Sequence, residues 1–117
     1  MTYVTGDQIV VHLIGDYLLQ SHYMATEKTK RTVAALAHVV TYVLSFLLLT
    51  RDARALAIIV GTHFVIDRWR LARYVVWLKN HLAPVTFNDW LAVWLLIVAD
   101  NTLHLICNAF ALWVSSP

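Results

Sequence analysis

Residues 32–49 run without one formal charge and, apart from His38, Thr41 and Ser45, are almost wholly apolar. That stretch constrains the fold more than any other feature, because an uncharged apolar run of this length reads as a membrane-spanning helix. Three further segments share its scale: 4–20, 53–77 and 89–114. A span uses roughly 20 residues, so four of them consume a chain of 117 residues. Composition agrees: 60% of residues are hydrophobic and 14% charged, against about half and about a quarter in an ordinary soluble domain. The expected fold class is all-α, a single transmembrane domain of about four helices with no room for a separate soluble domain. The N-terminus lacks a basic region before its apolar stretch and carries Asp7, His12 and Asp16 inside it. It therefore reads as part of the mature protein and not as a cleaved leader.

The basic residues set an expected orientation. Lys28, Lys30 and Arg31 lie between the first and second helices, and Arg68, Arg70, Arg73 and Lys79 lie between the third and fourth. Only Arg51 and Arg54 mark the turn between the second and third. The positive-inside bias then places the first and third connections in the cytoplasm and both termini outside, in a multi-pass protein of a bacterial inner membrane. The third helix ends in Arg, Trp and Tyr, and the segment 71–82 has the makings of an interfacial helix. The basic residues do not form the stripe that a nucleic-acid binder needs. Cys107 is the only cysteine, so no intrachain disulfide forms. His22 and His81 fall in connections and are expected to be solvated, and Thr86 or Asn88 is placed to cap the last helix.

Ionisable residues interrupt the apolar runs in a regular way. His12 and Asp16, His63 and Asp67, and Asp100 and His104 are each four apart, which puts each pair on one helix face. For six His and six Asp, chance gives on the order of 0.6 such pairs. His38 adds the remaining helix. Asp16 and Asp67 fall about one turn from the cytoplasmic ends, His12 and His63 roughly 6 Å deeper, and Asp100 and His104 near mid-membrane. Each ionisable group at that depth costs roughly 2.5–3.5 kcal/mol on insertion scales. Imidazole nitrogen and carboxylate oxygen suit a divalent cation such as zinc, manganese or iron. The candidate ligands are His12, Asp16, His38, His63, Asp67, Asp100 and His104, enough for one ion or two, with Asp16, Asp67 and Asp100 the candidate catalytic carboxylates. The alternative is a metal-free hydrogen-bond network that holds the bundle together. Gly15 and Gly61, beside Asp16 and His63, are expected to permit close helix approach. Gln20 reads as a helix-end group or a substrate group. Lys28, with Gln20, is the candidate to support the ligands or contact substrate; Lys28, Lys30, Arg31, Arg68, Arg70 and Arg73 are candidates to bind a phosphorylated substrate but read chiefly as topology-setting charge and lipid contacts.

The segments His12-Leu-Ile-Gly-Asp16-Tyr-Leu-Leu-Gln20, Lys28, His38, His63-Phe-Val-Ile-Asp67 and Asp100-Asn-Thr-Leu-His104 resemble a family of small bacterial and phage membrane proteins catalogued as a domain of unknown function. The resemblance implies roles for His12, Asp16, Gln20, Lys28, His38, His63, Asp67, Asp100 and His104. It extends distantly to bacterial inner-membrane proteins described as metal-dependent hydrolases, an analogy of fold. The functional expectation is a metal-dependent hydrolase acting on a lipid or phosphorylated substrate near the cytoplasmic face. A non-enzymatic phage or bacterial effector of superinfection exclusion or lysis is the alternative, and a proton or ion carrier ranks third. The expected partners are the lipid bilayer and further copies of the chain.

Overall fold

A computed structural model describes residues 5–79 and 90–116. Six α-helices follow in order: α1 (Gly6–Leu13), α2 (His22–Glu27), α3 (Thr32–Phe46), α4 (Ala53–Arg68), α5 (Ala72–Lys79) and α6 (Trp90–Ser115). No strand occurs among the described residues. The expectations for His81, Thr86 and Asn88 lie outside the described residues, as do Val4 and Asp89 at the expected helix starts.

Local chemistry sets the helix starts. Thr5 caps α1 by accepting from the Gln8 amide, Ser21 caps α2 by accepting from Met24, and Asp52 caps α4 by accepting from Arg54 and Ala55. Residues Ala34, Ala35, His38, Val39, Tyr42, Ser45 and Phe46 form the buried face of α3, and Ala55, Ile59, His63, Ile66 and Asp67 that of α4. Both follow the helical period. α4 packs against α3 and α6, α1 against α3 and α6, α2 against α3, and α5 against α6. Val11, Tyr42, Phe46, Ile59 and Ala111 make one apolar cluster, and Ala72, Val76 and Leu96 make a second.

Four uninterrupted spans are not what forms. Among the described residues only Trp90–Ser115 is long and apolar enough to cross a membrane, and Thr32–Phe46 is apolar but shorter. The first expected helix is α-helical through Leu13 and then widens into a π-helical turn, Ile14–Leu18. There the Leu19 amide reaches back to the Ile14 carbonyl at 3.0 Å. Gln20 Nε2 closes this end by donating to the Asp16 carbonyl at 2.9 Å. The third expected helix, 53–77, divides into α4 and α5. Arg70 sits at φ 50°, its amide donates to the Asp67 carbonyl, and the Leu71 amide donates to the Ile66 carbonyl. This is the Schellman way of ending a helix, which glycine usually fills. With arginine in that place, the sequence gives no stop signal. The connection 21–31 also holds the short helix α2, and His22 is exposed as expected.

Gly15 meets its expectation and Gly61 does not. A Cβ on Gly15 would lie 2.5 Å from Tyr42 Cδ2 and 3.0 Å from Ser45 Oγ, whereas one on Gly61 would meet nothing within 4 Å. The π-helical turn thus presses its backbone against α3.

Beside its apolar clusters the interior holds a group of buried polar residues, and much of the exterior is apolar. Gln8, His12, Asp16, His38, His63, Asp67, His104 and Asn108 are buried, while Leu18, Leu48, Leu78, Val98 and Trp113 are exposed. In the most apolar window of α6 only 11% of residues are buried within the protein.

Candidate metal centre

Four elements deliver the site. The π-helical turn brings Asp16, α3 brings His38, α4 brings His63 and Asp67, and α6 brings Asp100 and His104. All three i,i+4 pairs face one another: His63 Nε2 lies 3.1 Å from Asp67 Oδ2, His104 Nε2 3.4 Å from Asp100 Oδ2, and His12 Nε2 3.5 Å from Asp16 Oδ2. Contacts between helices are mostly shorter. His38 Nε2 lies 3.1 Å from Asp16 Oδ1 and 3.0 Å from Asp67 Oδ2, and His104 Nε2 lies 3.1 Å from Asp67 Oδ1. His38 and His63 bring their Nε2 atoms within 2.9 Å of each other.

Two groups of donors result. Asp16, His38, His63 and Asp67 form one, and Asp16, Asp100 and His104 form the other, with the ligand atoms of each group within 4.8 Å of one another. Donors around one cation at about 2.1 Å stand no more than about 4.2 Å apart, so small side-chain movements would suffice to close either group on an ion. Asp16 belongs to both.

His12 belongs to neither. Asn101 Nδ2 donates to the Ile97 carbonyl at 2.9 Å and to the Tyr17 hydroxyl at 2.8 Å, which fixes the amide with Oδ1 toward His12. His12 Nε2 donates to that Oδ1 at 2.7 Å. Its Nδ1 must then accept, and it does so from the Tyr42 hydroxyl at 2.7 Å. Tyr42 in turn accepts from Asn108 Nδ2 at 2.8 Å. Both nitrogens of His12 are therefore hydrogen-bonded to neutral groups, with Asp16 Oδ2 a longer contact at 3.5 Å.

Tyr42, Asn101 and Asn108 are site residues that pattern reading missed. Tyr42 is fully buried, and its ring stacks on His63 with centroids 3.6 Å apart and planes 21° apart. His104 also stacks on His63, with centroids 4.1 Å apart. A tyrosine in an apolar run carries no sequence signal for this role, and the two asparagines signal only by being amides inside an apolar helix.

Lys28 departs from a purely topological role. Its Nζ lies 2.9 Å from Asp67 Oδ2, and its side chain is 15% exposed. Arg68 is likewise engaged: its Nη1 donates to the Thr29 carbonyl at 2.8 Å, so two contacts tie residues 28 and 29 to the end of α4. Gln20 Oε1 is buried with no partner among the described residues. Asp16, Gln20, Lys28, Asp67 and Asp100 all line a cavity of about 150 Å³, with Ala72, Leu96 and Ile97 on its apolar side.

No curated protein and no solved structure matches the chain. A family model does match, over residues 4–116. Its span covers every residue of both donor groups, and on that match the chain belongs to the protein family of unknown function DUF3307.

Proposed function

We propose that this is a multi-pass membrane protein that holds a divalent cation between its helices and uses it to hydrolyse a lipid or phosphorylated substrate near the cytoplasmic face. The observation that carries the reading is the convergence of Asp16, His38, His63 and Asp67 from three elements, all four buried, within 4.8 Å and beside a cavity. Carboxylates and imidazoles in that number stay buried at tolerable cost when a cation neutralises them. The membrane reading rests on the apolar exterior around this buried polar group, and on α6, which is too little buried for the core helix of a soluble protein. α3 and α4 are about 22–24 Å long at 1.5 Å per residue, so they would cross with a locally thinned bilayer or with the flanking turns inside it.

A bound divalent cation would lower the pKa of a coordinated water and supply the nucleophile. The chain's own groups do the rest. His38, His63, Asp16 and Asp67 would hold the ion, and Asp100, only partly buried, faces the cavity and would take the proton from the water while the second donor group holds no ion. Tyr42 and His104 fix the ring plane of His63 by stacking on it.

A second reading has its own support. Lys28 already neutralises Asp67, and Nδ1 of His38 and of His63 has no hydrogen-bond partner among the described residues. Metal-bound histidines usually give that N–H to an acceptor. A non-enzymatic protein with a metal-free polar network satisfies both facts. Elemental analysis of purified wild type beside His63→Ala and the exposed-residue control His22→Ala separates the two. The metal reading expects a stoichiometric divalent ion that His63→Ala loses and His22→Ala keeps. Folded wild type without metal after growth in metal-replete medium refutes it.

A further inference from the structure

The cavity beside the centre has a mixed charge that a neutral ester does not require. Three carboxylates, Asp16, Asp67 and Asp100, line it together with two cations, the ammonium of Lys28 and the exposed guanidinium of Arg70. Its volume of about 150 Å³ far exceeds the roughly 10–15 Å³ needed for one water, so it admits a polyatomic group. Gln20 Oε1, buried and without a partner among the described residues, marks its wall as built for something polar. The two donor groups flank this space and share Asp16.

Charge balance then discriminates among ligands. The imidazoles are neutral when they ligate metal. One divalent cation plus Lys28 cancels the three carboxylates, and Arg70 at the exposed rim adds one positive charge. A second divalent cation, at Asp16, Asp100 and His104, leaves two positive charges in a largely buried place. Such an excess is costly unless an anion enters with it. A phosphoryl dianion supplies two negative charges, and its oxygens can reach two cations and an amine at once.

We infer that the cavity binds a phosphoryl dianion, held by Lys28 on one side and by a second cation at Asp16, Asp100 and His104 on the other, and that this second cation binds only together with the phosphoryl group. The inference rests on the metal-centre reading proposed above and names its ligand class. Lys28 exchanges its contact with Asp67 Oδ2 for the phosphoryl oxygens when both cations are present. The apolar wall of Ala72, Leu96 and Ile97 admits either a free phosphomonoester or the headgroup of a phospholipid.

Equilibrium dialysis of the full chain in detergent against Mn²⁺, and in parallel against Zn²⁺, tests this with and without inorganic phosphate. The expected ratio is one metal per chain without phosphate and two with it. Lys28→Met should bind phosphate about tenfold more weakly, the loss of one charge-assisted hydrogen bond. Asp100→Asn should remain at one metal in phosphate. Displacement of bound phosphate by glycerol 1-phosphate or by short-chain phosphatidic acid identifies the source, the tighter competitor naming it, and failure of both overturns the ligand class. A ratio unchanged by phosphate, or Lys28→Met with wild-type phosphate affinity, refutes the inference while leaving the metal centre standing. No metal under either condition refutes the metal centre itself.

Discussion

Replacing Gly15 by alanine should damage both the fold and the site, because one methyl group has nowhere to go. The added Cβ would lie 2.5 Å from Tyr42 Cδ2, about 1 Å inside an ordinary carbon–carbon contact. Relief requires that Tyr42 or the π-helical turn move. Tyr42 is fully buried, stacked on His63 and hydrogen-bonded to His12 and Asn108, so its displacement breaks several contacts together. The turn cannot retreat without pulling Asp16 away from His38, 3.1 Å distant. Overpacking of this kind costs about 1–3 kcal/mol, and the better helix propensity of alanine returns about 0.5–1 kcal/mol. A net loss of about 1–2 kcal/mol is expected, roughly a five- to thirtyfold fall in the folded-to-unfolded ratio. Gly61→Ala is the internal control: its Cβ meets nothing within 4 Å, so it should be neutral or gain about 0.5–1 kcal/mol. Reversible unfolding in mild detergent, followed by circular dichroism, measures both variants. If Gly15→Ala unfolds at the same point as Gly61→Ala, the close contact between the π-helical turn and α3 is wrong.

Further expectations concern other parts of the molecule. Tyr42→Phe leaves His12 Nδ1 and one Asn108 donor without their hydroxyl partner, at about 1–3 kcal/mol for each buried group left unpaired. A double-mutant cycle with Asn108→Leu should show coupling above about 0.5 kcal/mol, and strict additivity would count against the network. Asp52 caps α4, and its carboxyl is held below the usual carboxylate value by the Arg54 side chain and by the Arg54 and Ala55 amides. Because its folded-state pKa is depressed, the cap contributes fully above the ordinary carboxylate range and is lost as pH falls through the folded value. Hydrogen-exchange protection at Arg54 and Ala55, taken relative to the intrinsic exchange rate at each pH, should therefore fall in acid for wild type but stay nearly flat with pH for Asp52→Asn. For orientation, single cysteines placed in the 21–31 connection of a Cys107→Ser background should resist an impermeant thiol reagent in intact cells, whereas a cysteine at Ser116 should react. The reverse pattern would invert the topology.

The one-dimensional pattern determined the helical class and the three His/Asp pairs, because spacing along a helix is local geometry that i,i+4 positions cannot escape. It also marked His38 as a member of the set, though not as the group that touches both Asp16 and Asp67. Tertiary packing alone decided the rest. Arg70 ends α4 in a backbone conformation that glycine normally advertises. The turn at Ile14–Leu18 widens where Gly15 presses on Tyr42. His12 is diverted to Tyr42 and Asn101, and Lys28 folds back onto Asp67. None of these follows from spacing, since each depends on which side chain a neighbouring helix presents at that depth. A linear pattern fixes the face on which a group lies, but only the packed bundle fixes what stands opposite it.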